Sequence, residues 1–487
     1  MSSQSHNSTQ PAPNAMEERR TLMLGGPILP TLFKLTFPVI TVVVTQTFVA
    51  VLEAYWVSRL GTEAVAGVSL VLPLLILMNT MSNGGIGGGV SSAVSRAIGA
   101  DRQDDADALL LHTVVIALSF GTIFVFGALL LGPQLYSALG GHGATLQFAL
   151  AYSAWVFGGA PLIWTVNLLA SAMRGAGDVK IPAIVSLVGA LILIPLSPLL
   201  IFGVGPFPRM GVAGAGAATL IFYAFGLVMY SVHLLRGRGA LRLHRVAFAS
   251  RHFRNILSVG LISALGTLVA SLTVVGVTGA VGTQGPAALA GYGIASRVDS
   301  LLIPLLFGVG SGVVTLIGVA TGAGDIARGN RVARIASTIA FVGAESVGVL
   351  LAIFPSLWVR IFTSDASVLT AGDTYLRVAG LSYGFFGVGL MLYFASQGRS
   401  NMLWPFVAGA LRLAVTVGGA AWLAHAGAPL ALIVAPVVAG SLLFGVINTL
   451  GFVWNANRLL AQRARRATQA VGTNSVITQL STESQQT

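Results

Sequence analysis

No cysteine occurs among the 487 residues, and only 9% of them are charged. Without thiols there can be no disulfide, no thiolate nucleophile and no cysteine-based metal site. The scarcity of charge excludes more. A soluble domain carries about 25% Asp, Glu, Lys and Arg, so 27 Lys+Arg and 15 Asp+Glu leave too little polar surface to hold this chain in water. Histidine is scarce too, seven in all, and none pairs with a carboxylate one helical turn away as a metal site would need. No nucleophile, base and orienting group recur together, so neither an enzyme nor a resident metal or cofactor is expected. Residues 1–30 are polar and hold Glu17, Glu18, Arg19 and Arg20 with no apolar core before a small-residue site, so no cleavable signal peptide is expected.

Apolar residues supply what charge does not, making up 55% of the chain. They fall in twelve nearly continuous segments centred near Thr45, Leu74, Ile116, Val156, Leu191, Phe222, Leu268, Pro304, Val347, Phe385, Val415 and Leu442. A spanning helix needs about 20 such residues, whereas a barrel strand shows ~10 of alternating polarity. The expected fold is therefore all-α and membrane-embedded with twelve spans. Linkers are short except near 236–256, which holds Arg236, Arg238, Arg242, Arg245, Arg251 and Arg254. The expected organisation is a tail over 1–30, a six-helix lobe over 31–236, a basic linker over 237–252, a second lobe over 253–456, and a basic, then disordered tail over 457–487.

Cytoplasmic loops collect Lys and Arg. With the N-terminus inside, the inner loops hold Arg96, Arg102, Arg174, Lys180, the linker arginines, Arg328, Arg331, Arg334 and Arg399, while the outer loops keep little beyond Arg59, Arg209, Arg360 and Arg377. Both termini are expected in the cytoplasm, and the net charge of +12 reads as topology rather than as nucleic-acid binding. A shift of 223 or 224 residues lays Gly61 on Gly285, Gly67 on Gly291, Gly84 on Gly308, Ala172 on Ala395, Gly175 on Gly398 and Pro182 on Pro405. Copies with an even number of spans share one orientation, so the lobes are expected to be related by a pseudo-twofold along the membrane normal. The 60 glycines, many within spans, read as close helix packing; no strand and no Lys-Ser/Thr flank them as a phosphate loop requires.

An ionisable group inside hydrocarbon costs at least ~2.5 kcal/mol, and three acids fall within apolar segments: Glu53, Asp299 and Glu345. Helical spacing puts Gln46, Val49, Ala50, Trp56 and Val57 on the face of Glu53. Desolvation there favours the protonated carboxyl and brings its titration toward the range of a membrane pH gradient. The structural alternative is an acid satisfied by a neighbouring hydroxyl, amide or arginine. Asp299 lies two residues from Arg297 and in the same half as Arg412, which reads first as an ion pair locking that half. Glu345 either faces a polar crevice or bonds another helix. Asn79, Asn83, Asn167, Ser197 and Thr219 recur in the first half, interleaved with Met78, Met81, Trp155, Trp164 and Tyr223. The pattern suits bundle packing or a cleft for amphipathic organic ligands. Leu241, Leu243, Val246 and Phe248 between the linker arginines suit an interfacial segment against anionic headgroups of membrane lipids.

Over residues 30 to 456 the sequence resembles the multidrug and toxic compound extrusion transporters. The resemblance rests on Glu53 ahead of Trp56-Val57-Ser58-Arg59-Leu60-Gly61, on Ala97-Ile98-Gly99-Ala100, on Met173-Arg174-Gly175-Ala176-Gly177-Asp178 with Pro182, on Gly211-Val212-Ala213-Gly214 through Thr219, and on Gly285-Pro286-Ala287-Ala288-Leu289-Ala290-Gly291 and Thr321-Gly322-Ala323-Gly324. It implies a V-shaped two-lobed exporter driven by a proton or sodium gradient. In one branch of that family the position of Glu53 holds an acid that binds the coupling cation; Pro38 matches the proline where the first helix bends, Gln46 a cavity glutamine, and Thr219 a hydroxyl near the acid. The chain departs from the family at Leu196-Ser197-Pro198-Leu199-Leu200, where an aspartate is missing, and at Ala270, where another branch has a glutamate. Fewer carboxylates favour proton over sodium coupling. The expectation is a monomeric inner-membrane antiporter that exports amphipathic, cationic organic compounds in exchange for H+. Two other readings are a lipid-linked saccharide flippase of related fold and a major-facilitator exporter, whose loop signature Ala100-Asp101-Arg102-Gln103-Asp104 does not match.

Overall fold

In lipid every backbone N–H and C=O must be bonded within the protein, which makes helices of apolar runs this long. The computed structural model describes residues 15–483 apart from 238 and 244–246, and no strand occurs among them. Helix α1 (Ala15–Gly25) precedes the spans α2 (Ile28–Ser58), α3 (Thr62–Gly99) and α4 (Gln103–Ala138). The pair α5 (Gly143–Gly158) and α6 (Ala160–Gly175) follows, bent by 49°. Then come α7 (Lys180–Phe202), α8 (Val212–Leu235), α9 (Ser250–Gly282), α10 (Pro286–Gly322), α11 (Ile326–Ile353), α12 (Ala366–Gly398), α13 (Leu403–His425) and α14 (Leu430–Gln462). With the bent pair counted once, twelve spans among the described residues are long and apolar enough to cross a membrane, and each apolar centre read from the sequence lies in one.

Several spans are interrupted where the sequence loosens the helix. Pro161, lacking an N–H, starts α6 after the bend at Gly159. A wide π-helical turn, Met81–Ile86, interrupts α3 just before a run of glycines. Helix α10 breaks at Ser296, and a 3-10 turn, Gly380–Ser382, interrupts α12. Pro38 sits within α2 without breaking it, although its missing N–H leaves one intrahelical bond unmade.

Packing groups the chain into two compact units whose bounds cross the linker. The first holds the residues up to Leu272 with Arg297–Ala323 and Gln397–Met402; the second holds Thr273–Ser296, Gly324–Ser396 and the chain from Leu403 on. The reason is a close crossing of α3 and α10 inside the first unit. A Cβ at Gly99 would stand 2.0 Å from the Val319 carbonyl oxygen, and one at Gly322 would stand 2.1 Å from that of Arg96. Val319 and Gly322 are the repeat equivalents of Arg96 and Gly99, so the two contacts mirror each other. Small residues at four-residue spacing, Ser95 and Gly99 against Gly318 and Gly322, let the backbones touch where side-chain dispersion must replace the hydrophobic effect.

Each unit also repeats the other's internal packing. Gly61 and Gly285 precede their helices with φ of 110° and 100°. In the first unit Gly67 meets Thr145 and Ala149 of α5; in the second, Gly291 meets Val368 and Gly372 of α12.

The linker is fastened to the first unit largely through its backbone. Arg242 N–H donates to Asp107 Oδ1 at 2.8 Å, Gln103 Nε2 donates to Ala240 O at 3.0 Å, and Ala249 N–H donates to His112 Nε2 at 3.0 Å. Phe248 stays exposed; Arg238, Arg245 and Val246 lie outside the described residues. The tail expected over 1–30 is helical from Ala15, with residues 1–14 outside the described ones, and α1 docks through Arg19 on Asp178 at 3.1 Å and the buried Met23. At the other end the helix of α14 runs on to Glu483, where disorder was expected past Arg466. Once a span nucleates a helix, each further residue adds one hydrogen bond at little cost, and Ala461-Gln462-Arg463-Ala464-Arg465-Arg466 are good helix formers.

Candidate coupling and ligand site

The site lies in the first unit, where α7 and α8 pack against α2. Val49, one turn before Glu53, packs on Leu193, Leu200, Ala217 and Ala218. The Trp56 ring, three residues after it, stands edge-on to Phe202 at 6.5 Å. These contacts turn the half-buried Glu53 toward α8, where its Oε1 accepts the Thr219 hydroxyl at 3.3 Å. That hydroxyl also lies 3.0 Å from the Ala215 carbonyl. It has one hydrogen and two lone pairs, so it can donate to a carboxylate, or accept from a carboxylic acid while donating to Ala215. No ion pair involves Glu53 among the described residues.

One turn along α8, Tyr223 Oη donates to Asn79 Oδ1 at 3.5 Å. The same oxygen accepts Asn167 Nδ2 of α6 at 3.4 Å, and Asn167 Nδ2 also reaches Ser82 Oγ at 2.9 Å. Ser82 and Asn83, at the wide turn of α3, both bond back to the Asn79 carbonyl, at 3.1 and 3.3 Å. Tyr152 of α5 is buried beside α8, where a Cβ at Gly216 would stand 3.4 Å from its carbonyl oxygen. The result is an acid on α2, bonded to α8 one turn from a polar cluster drawn from α3, α6 and α8.

Of the residues expected at a cavity, Asn79, Asn167 and Thr219 join this cluster, while Asn83 bonds to the backbone of its own helix. Ser197 is buried, its hydroxyl without a hydrogen-bond partner among the described residues. Gln46 is exposed and bonds to none of the cluster. Asp299 lies in the first turn of the second part of α10, in the first unit, where the helix dipole favours an acid. Arg412 lies in the second unit, its guanidinium 4.5 Å over Phe386 and 5.7 Å over Phe444. Glu345 accepts the Gly384 N–H at 2.6 Å, capping the part of α12 that follows its 3-10 turn; of its two sequence readings the bond to another helix is the one found. Ser82 and Tyr152 were not singled out from the sequence. Ser82 was legible as the residue one turn from Asn79, whereas Tyr152 carries no pattern of its own. Among the described residues no cluster of His, Asp and Glu could hold a metal ion.

The MatE family model matches residues 38–199 and 259–422, most of the chain and all of the cluster outside α8. The chain belongs to the MatE family. This MatE chain is similar to the FAD transporter of Shewanella oneidensis MR-1, with 27% identity over 391 residues that cover 78% of this chain and 84% of that protein. It is 26% identical to the probable multidrug resistance protein NorM of Thermotoga maritima MSB8 over 384 residues, 77% of this chain and 81% of that one. The crystal structure of MATE in the bent conformation superposes with a TM-score of 0.85 at 23% identity, over 92% of this chain and 99% of that one. The fold is thus that of MATE structures, a multi-pass integral membrane protein, and the major-facilitator reading falls away.

Proposed function

We propose that this MatE chain is an efflux transporter of the inner membrane, with both termini cytoplasmic, that exports amphipathic cationic organic compounds in exchange for protons. The observation that supports this is Glu53, a carboxyl group within a spanning helix whose hydrogen-bond partner is a hydroxyl able to serve both protonation states. Ionised, Glu53 attracts a cation; at ~4 Å and an effective dielectric of ~20 that attraction is about 4 kcal/mol. Protonation from the outside cancels it, the Thr219 hydrogen turns to Ala215, and the ligand leaves before the helix closes about Pro38. Asn79, Asn167 and Tyr223 offer hydrogen bonds to the ligand's polar end, and Gln46 and Ser197 extend the lining. Exchange of one proton for one monovalent cation moves no net charge, so the pH difference alone drives it, by about 1.4 kcal/mol or tenfold in ligand gradient for each pH unit.

In proteoliposomes with pH and sodium gradients imposed separately, the pH gradient alone should drive efflux of a lipophilic cation. Glu53→Gln should abolish it and Glu53→Asp should keep much of it; full efflux by the Gln variant would remove the mechanism. A second cargo class is favoured by the relative named as a FAD transporter, so FAD belongs in the same assay. Export of FAD without export of the cation would replace the cationic reading.

A further inference from the structure

The crossing of α3 and α10 carries a pair of clasps related by the internal repeat. Thr315 Oγ1 of α10 donates to the Arg174 carbonyl at 2.9 Å. Ser92 of α3, the repeat equivalent of Thr315, donates to the carbonyl of Gln397, the repeat equivalent of Arg174. The backbones are held alike, but the side chains are not. Arg174 Nη2 turns back to Ser171 Oγ of its own helix at 2.6 Å. Gln397, only 1% exposed, reaches away from its helix instead. Its Nε2 donates to the Gly84 carbonyl, inside the wide turn of α3, at 3.1 Å, and to Ser263 Oγ of α9 at 2.9 Å. The amide lies against Gly88, where a Cβ would fall 2.1 Å from Nε2. Nothing larger than glycine leaves room for it.

We infer that Gln397 is a latch on this crossing: its amide pins the wide turn of α3 to α9 and to the end of α12, and its withdrawal lets α3 and α10 part. The inference rests on the transport reading, because a carrier has to open at this end to take up its ligand. Two features suit a latch better than a fixed brace. A π-helical turn is a rare, poorly bonded form of helix that recurs at functional sites, and this one lies on α3 between Asn79 in the Glu53 cluster and Gly99 in the crossing. The Oε1 of Gln397 is buried with no partner among the described residues, so the amide gives up two donated bonds on leaving but gains a partner for an orphaned acceptor.

The lack of cysteine makes the test direct. Val319 is fully buried at the crossing, and Val319→Cys puts a single thiol there. Its reaction with a membrane-impermeant maleimide is timed in vesicles of both orientations, alongside thermal unfolding of the purified variants. Adding Gln397→Leu should speed labelling at least tenfold from the face that bears the linker, and Gly88→Ala, which keeps Gln397 but takes the space of its amide, should do the same. Arg174→Gln, the repeat-equivalent change, should stay within twofold of the parent. Unchanged labelling in Gln397→Leu, or an equal rise in Arg174→Gln, overturns the latch. If Gln397→Leu does not fold, the rate in Gly88→Ala decides. Labelling needs no transport, so a chain that moves no ligand would remove the function proposed above while leaving this measurement to stand or fall by itself.

Discussion

Replacing Gly99 by alanine puts a methyl carbon 2.0 Å from the Val319 carbonyl oxygen. Carbon and oxygen rest at about 3.4 Å or more, so α3 and α10 have to separate by ~1.4 Å at that point. The obstacle is backbone, and no rotamer change relieves it. Overpacking of this kind costs about 1–3 kcal/mol. Separation also loosens the mirrored contacts of Gly322 with Arg96 and of Gly318 with Ser95, and gaps of roughly 0.5–1 Å forfeit a quarter to a half of each contact's attraction. Alanine returns up to about 1 kcal/mol through its better helix propensity, leaving a net loss of about 2 kcal/mol, or roughly thirtyfold in the equilibrium constant. Thermal unfolding in detergent measures it, with Gly127→Ala as control: a Cβ at Gly127 has nothing within 4 Å, so only the propensity gain remains and the midpoint should hold or rise. If Gly99→Ala unfolds at the temperature of Gly127→Ala, the crossing is not the tight contact described and the reasoning from its glycines fails.

Two further changes address acids outside the Glu53 site. Asp178 is nearly buried and accepts from Arg19 at 3.1 Å and His233 at 3.2 Å; Asp178→Ala should cost about 2 kcal/mol and release α1, seen as faster tryptic cleavage at Arg19 and Arg20, whereas unchanged cleavage would mean that Met23 and its neighbours hold α1 unaided. Glu345→Gln weakens a charge-assisted cap on Gly384 N–H, so the unfolding midpoint should fall by an amount equivalent to about 1 kcal/mol with proton-driven efflux retained, and lost efflux at unchanged stability would make Glu345 a transport residue.

The elements most visible in the sequence were those set by composition along the chain. Twelve apolar segments became twelve crossings because a bilayer leaves the backbone no alternative to helix. The repeat was legible because glycines at matching positions make matching close approaches. Glu53 stood out because an acid in hydrocarbon needs a reason, and Thr219 followed from the family resemblance. What was missed depended on contacts between distant segments. Nothing in the sequence around Gln397 announces that its amide reaches a carbonyl 313 residues earlier in the chain.

Sequence alone decided the solvent and the element type, since a chain with so few charges and such long apolar runs can bury its backbone polar groups only as spanning helices. The tertiary structure decided which polar groups meet. Where α3 turns wide, which face of α2 looks at Thr219, and how closely α3 and α10 approach follow from packing among helices far apart in the chain, and side-chain spacing within one helix carries no information about its neighbours.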